Sequence, residues 1–299
     1  MRKSSNLELY YICYSIDLQQ TKTEIFMETI INYFTTISSF HRGLILAGGI
    51  ALFWLIENIS PLHNFGYKKW NHAGINLFFT ATTIIVNFAL AAILLWTADH
   101  SFQNQWGILN QFPEMNIIFY ALLGLLFLDL IGAYFAHWVQ HRIPVLWRFH
   151  LIHHTDTFVD TTTANRHHPG ESLIRFFCTV LAVLVAGTPM WLVFLYQSLS
   201  VVFSQFNHAN IQLPKKLDIF ISYFIVSPDM HKVHHHYVLP YTDTNYGNIF
   251  SIWDRLFGTF SMLDNSKIVY GVDTHQNTNH HSNLRTMLKI PFEKRITKT

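Results

Sequence analysis

Charge is scarce in this 299-residue chain: Asp, Glu, Lys and Arg together make up 13%, about half the share in an ordinary soluble domain. The few charges nearly cancel, leaving a formal net value of +2, and so small an excess argues against nucleic acid as a partner. Cysteine is almost absent. Cys13 and Cys178 are too few for a disulfide framework or a thiolate cluster, so any bound metal is held by nitrogen and oxygen. No repeat of fixed period and no low-complexity tract interrupts the chain. Half of the residues are hydrophobic and 16% are aromatic, more than the core of a soluble domain needs.

Those apolar residues gather into runs. A bilayer-spanning helix takes roughly 20 mostly apolar residues, and Gly43 to Ile59, Ile75 to Trp96 and Ile117 to Ala136 qualify by length. The first carries Glu57 and either spans or lies in the interface. The third carries Asp129. Leu173 to Phe203 is too long for one simple helix, and Gly187-Thr188-Pro189 at its centre predicts a helical hairpin. Its two ends then return to one face. Arg142, Arg148, Arg166, Arg175, Lys215, Lys216, Lys232 and Arg255 collect on that face, whereas the loop from Ala98 to Asn116 has neither Lys nor Arg. By the positive-inside rule that face is cytoplasmic. The segment before Met27 is irregular and reads as a disordered extension, with Met27 as the natural start.

Histidine is what the chain has in excess. Of its 19 histidines, the clusters His137-x-x-x-His141, His150-x-x-His153-His154, His167-His168, His208 and His231-x-x-His234-His235-His236 lie at or beyond the ends of the apolar runs. Imidazole is the commonest metal ligand among side chains. On a helix, residues three and four apart share a face, so the first pair and the two H-x-x-H-H elements present eight nitrogens. One metal ion takes about six donors at most, so eight imply two metals. His41, His63, His72 and His100 read as isolated interfacial rings, His275, His280 and His281 as members of a polar tail, and His167 and His236 as doubtful companions. On a regular helix Asp129 stands about 80° round from His137 and about 12 Å deeper. It either orients a ligating imidazole of another segment as a catalytic accessory or makes a helix-packing hydrogen bond. Trp147 reads as an interfacial anchor, and Asp254 with Arg255 as an ion pair fixing the segment after the last cluster.

Three ordered histidine boxes, Arg166-x-His168-Pro169, Asn207-His208 and the stretch from Asn245 to Phe260 resemble the fatty acid hydroxylase superfamily of membrane di-iron enzymes, over roughly Asp129 to Phe260. That superfamily includes sterol desaturases and alkylglycerol monooxygenase. The resemblance implies His137, His141, His150, His153, His154, His168, His208, His231, His234 and His235 as ligands of two iron ions. It also implies dioxygen as co-substrate and electrons from a separate protein such as a cytochrome b5 or a ferredoxin, because no cytochrome b5-like haem domain is fused to the chain. His208 lacks the partner four residues on that ceramide-type fatty acid hydroxylases have; Gln212 stands there. That departure favours the sterol-desaturase and alkylglycerol-monooxygenase branches.

The expected protein is all-α: a multi-span helical integral membrane protein with a cytosolic, histidine-lined cap for two metals. Its parts are an extension over 1–26, membrane spans over 27–136, a histidine-box catalytic region over 137–265 with a membrane hairpin at about 173–205, and a polar basic tail over 266–299. The expected reaction is hydroxylation or desaturation of a C–H bond of a membrane lipid. A non-catalytic metal-binding or metal-transport protein is the alternative, although a transporter places its ligands near the bilayer midplane and these boxes lie outside the spans.

Overall fold

A computed structural model describes residues 22–293 of the protein, and among them it contains helices and isolated bridges but no strand. Residues 1–21 of the expected extension lie outside the described residues. Residues 22–36 form helix α1, which begins ahead of Met27 and places the Met27 side chain in the main core; residues 22–26 are thus helical.

Among the described residues, four helices are long and apolar enough to cross a membrane: α2 (Ser39–Ile59), α3 (Lys69–Gln103), α4 (Ile117–Arg142) and α6 (Pro169–Ala186). They contain the apolar runs and extend beyond them by polar turns. Ser38 caps α2 by accepting from the His41 N–H, a hydroxyl partner for one of the orphan amides at a helix start. Glu57, near the end of α2, is buried and accepts the backbone N–H groups of Thr161 (2.7 Å) and Asn210 (2.8 Å). It ties that span to the loops around the histidines.

Helix α4 is not regular. Leu130–Phe135 forms a π turn, and the extra residue it takes up rotates everything beyond it by about 100° relative to a continuous α-helix. Asp129 and His137, about 80° apart on a regular wheel, are left about 20° apart. Both in fact reach the same segment, residues 246–253.

The hairpin forms as its sequence predicts. α6 ends at Gly187, in the left-handed region at φ 75°, and α7 (Met190–His208) starts after Pro189. A side chain at Gly187 would collide with the Trp106 carbonyl, so this close approach requires glycine as well as the φ. The core between α3, α4, α6 and α7 holds Leu94, Ala98, Leu128, Ala182, Val183 and Leu192. Short helices α5 (Pro144–His154), α8 (Lys215–Ser222), α9 (Pro228–His234) and α10 (Ile252–Leu256) form the cap.

The tail differs from its expected character. Ile268, Tyr270, Val272, Met287 and Ile290 are buried, and Met287 and Ile290 pack on Phe79, Trp147, Leu151 and Ile152. Apolar residues spaced among polar ones pay out only when the chain folds back, which composition does not reveal. Residues 294–299 lie outside the described residues.

Candidate metal centre

Four segments deliver nine imidazoles to the centre. The last turn of α4 supplies His137 and His141; α5 supplies His150, His153 and His154. The end of α7 supplies His208, and α9 with the residue after it supplies His231, His234 and His235. Pro144 and Pro228 sit in the first turns of α5 and α9, where the missing N–H costs nothing. The rings form two groups. His137, His141, His150, His154 and His234 make one; His153, His208, His231 and His235 make the other. Within each group one ring nitrogen per residue lies within 4.8 Å of all the others, and all nine residues are buried.

The contacts inside the groups have the spacing of ligands around an ion. Nε2 of His150 is 3.0 Å from Nε2 of His137 and 3.1 Å from that of His154. In the second group, Nε2 of His208 is 3.1 Å from those of His153 and His231. Two imidazole nitrogens bound at about 2.1 Å to one metal, at a right angle, stand about 3.0 Å apart. The protons point elsewhere. His137 Nδ1–H donates to the Tyr246 carbonyl (2.9 Å) and His234 Nδ1–H to the Thr244 carbonyl (2.7 Å). His208 Nδ1 faces Ser204 O and Asn207 Oδ1, each at 2.7 Å. Carboxylates back two more rings: Glu171 Oε1 accepts from His150 Nδ1 at 2.7 Å, and Asp243 Oδ1 from His141 Nδ1 at 3.1 Å. With Nδ1 carrying the proton, Nε2 presents a lone pair, the arrangement that orients metal-bound histidines.

Electrostatics agree. Burial first, then the neighbouring imidazoles, holds His150, His153, His154, His231 and His235 well below the ordinary histidine pKa. They are neutral near pH 7, the form that binds metal. Both ring nitrogens of His235 are buried without a protein hydrogen-bond partner, a costly arrangement unless a ligand fills it. The donor set therefore fits two metal ions.

Some expected roles are corrected. His168 joins neither group: its Nδ1 accepts the Gly170 N–H at 3.0 Å and its Nε2 faces Leu288 O at 3.4 Å, so it caps α6. Asp129 touches no imidazole. It accepts from Phe250 N (3.1 Å), Ile249 N (3.3 Å), Trp253 Nε1 (3.0 Å) and Tyr196 OH (3.4 Å), which pins the 249–253 segment to α4. Asp254 makes no ion pair with Arg255. Its carboxylate accepts from the Tyr246 and Gly247 N–H groups and from Thr259, while Arg255 lies over Tyr223 and Phe260. His72 is not an isolated interfacial ring but is buried between Asp156 (2.8 Å) and Asp160 (3.2 Å). Trp147 is buried too, its ring 4.8 Å from that of His141. His236 accepts the Val269 N–H.

Glu171, Asp243 and Arg166 have no role in the spacing argument, yet each is structurally decisive. Arg166 is fully buried and bridges Asn76 of α3, Ile152 and Thr155 at the end of α5, and His281 of the tail. Its place in the Arg166-x-His168 element was the available signal. For Glu171 the signal was a carboxylate within the first turn of an apolar helix.

A cavity of about 20 Å³ lies between the two groups, walled by His137 and His150 of one, His153, His208 and His231 of the other, and by Ala133, Ser204 and Arg175 from α4, α7 and α6. It has room for roughly one water-sized molecule.

Residues 121–259, which hold all nine converging histidines, match the fatty acid hydroxylase family. An ornithine lipid hydroxylase of Rhizobium tropici is 28% identical over 54% of this chain and 45% of its own length. Alkylglycerol monooxygenase of Danio rerio is 31% identical over 48% of this chain and 31% of its own. A very-long-chain aldehyde decarbonylase of Oryza sativa subsp. indica is 26% identical over 52% and 58%. The chain thus spans less than half the length of the first two relatives. No solved structure matches. The histidine geometry and these similarities meet in the same residues: the chain carries a fatty acid hydroxylase domain.

Proposed function

We propose that the protein is a membrane di-iron oxidoreductase that uses dioxygen to hydroxylate or desaturate a C–H bond of a lipid. The observation that carries the reading is the convergence of nine buried imidazoles in two groups that share one small cavity. Nitrogen-rich sites of this kind suit redox-active iron better than a closed structural zinc. Bound there, the two ions would supply the activation of dioxygen.

The chain's own residues do the rest. The carbonyls of Tyr246 and Thr244 and the carboxylates of Glu171 and Asp243 fix the ring planes. The ends of α4, α6 and α7 wall the cavity beside the imidazoles, and its size suits a small molecule such as a diatomic gas. Hydroxylation consumes dioxygen, two electrons and two protons, and yields the alcohol and water; the electrons come from a separate one-electron donor protein of the cytochrome b5 or ferredoxin type. The substrate is a membrane lipid, in keeping with relatives whose names specify ornithine lipid and alkylglycerol. The basic residues around the boxes support a cytoplasmic position for the centre.

Metal analysis of anaerobically purified protein tests the assignment: about two irons per chain are expected, with oxygen consumption on adding reductant and lipid extract. Zinc alone, with no oxygen uptake, would instead identify a metal-binding or transport protein. His153→Ala and His234→Ala each abolish oxidation while the protein still inserts in the membrane; turnover retained in either refutes the centre.

A further inference from the structure

The cavity between the histidine groups has one wall that the metal centre does not use. Arg175 stands six residues into α6, about 9 Å along the helix from Pro169, flanked in sequence by Ile174 and Phe176. It lines the cavity together with the imidazoles. Its Nη1 lies 3.8 Å from Glu171 Oε1, beyond hydrogen-bond distance, and that oxygen is already committed to His150. Among the described residues the guanidinium makes no hydrogen bond. A guanidinium offers five N–H donors, and because this side chain is only partly buried those donors are open to whatever enters the cavity. Its planar fork matches the oxygens of a phosphate or a carboxylate.

We propose that Arg175 binds the polar end of the substrate, which is therefore an amphiphile carrying a phosphate or carboxylate within a few bonds of the C–H that is oxidised. This rests on the oxidase reading above and names its substrate class. The shared wall sets the short separation: guanidinium and imidazoles line the same small cavity, so an oxygen held by Arg175 brings a neighbouring carbon close to the imidazoles. A methylene far along a hydrocarbon chain has no acceptor to offer there. The small side chains Ala133 and Ser204 also line the cavity, and the apolar remainder of such a molecule would leave past them.

Calorimetric titration of the metal-loaded, full-length protein in a neutral detergent tests this with dodecyl phosphate, dodecyltrimethylammonium and inorganic phosphate. Wild type binds dodecyl phosphate at least about tenfold tighter than the ammonium, as one charge-assisted contact requires. Arg175→Gln removes that preference, and Arg175→Lys keeps part of it because the charge remains while the fork is lost. Iron content is measured on the same samples. A preference unchanged in Arg175→Gln overturns the proposal. So does loss of iron in that variant, which would assign Arg175 to holding Glu171. Inorganic phosphate displacing dodecyl phosphate at equal concentration would make this a plain anion site and overturn the lipid assignment. A wild type that binds no iron refutes the oxidase; its preference for the alkyl phosphate still reports on Arg175.

Discussion

Replacing Glu171 with Gln removes the charge behind His150 and keeps an acceptor of nearly the same shape. The structure makes His150 the pivot of the first group: its Nε2 is within 3.1 Å of the Nε2 atoms of both His137 and His154, and its Nδ1 is 2.7 Å from Glu171 in a fully buried contact. Partners of this kind are worth about 10–100-fold in metal affinity, or about 1.4–2.7 kcal/mol. The second group draws on other rings, so Glu171→Gln weakens one metal more than the other. Titration with a graded chelator, followed by metal analysis, should show one ion leaving about 10–100-fold earlier than in wild type and the second leaving close to its normal point. Two ions leaving together at the wild-type chelator concentration would refute the reasoning, as would an equal shift in both.

His168→Ala costs about 1 kcal/mol through loss of the α6 cap and leaves metal content unchanged; a missing ion in metal analysis would put His168 back among the ligands. Asp129→Ala strands the buried Trp253 indole and Phe250 amide and lowers stability by about 2–4 kcal/mol, read as a fall in melting temperature, with the metals retained in the folded fraction. Arg166→Met removes the guanidinium 3.8 Å from Asp156, which keeps His72 at 2.8 Å, and leaves the buried Asn76 and Thr155 side chains and the Ile152 carbonyl without their donor, at a cost of about 1–3 kcal/mol; a variant as stable as wild type in thermal melts would show that the clamp carries no energy. In metal-free protein, His153, His154, His231 and His235 have folded pKa values depressed by burial, so their stabilising contribution is present above about 6.5 and lost as pH falls below it, by up to about 1.4 kcal/mol per pH unit for each ring. Melting temperatures that stay flat from pH 7 to 5.5 would contradict this.

Much of the architecture was readable from the chain because its causes are local. Apolar runs of spanning length became α2, α3, α4 and α6, and Gly187-Thr188-Pro189 became the hairpin turn. The histidine spacings placed His137 with His141, and His150 with His154, because three- and four-residue intervals hold on any helix. Of the two roles open to Asp129, the packing one is observed, through Tyr196 of α7, while its bonds to residues 249–253 and the place of His168 were not legible. A continuous helical wheel could not anticipate the π turn at Leu130–Phe135, which brought Asp129 round toward the face of His137 and onto residues 249–253. Nor could spacing within α6 show that its first turn would take the His168 ring for itself. The acceptors behind the ligands were hidden for another reason: Asp243 is 102 positions from His141, so only tertiary structure pairs them. The tail was misread because its buried residues are too thinly spaced to form a run.

Those distant acceptors also set an order in time. All nine converging histidines have been synthesised once His235 is in place, yet the Nδ1 partners of His141, His234 and His137 are Asp243, Thr244 and Tyr246, and the fully buried Arg166 waits for the carbonyl of His281. A nascent chain that has just finished its last histidine therefore holds every imidazole but not the backing that aims three of them. Its guanidinium clamp is still open to water. The His281 carbonyl that Arg166 reaches arrives only after some 45 further residues have been added. The proposed centre is thus fully backed only after the C-terminal segment has folded onto it.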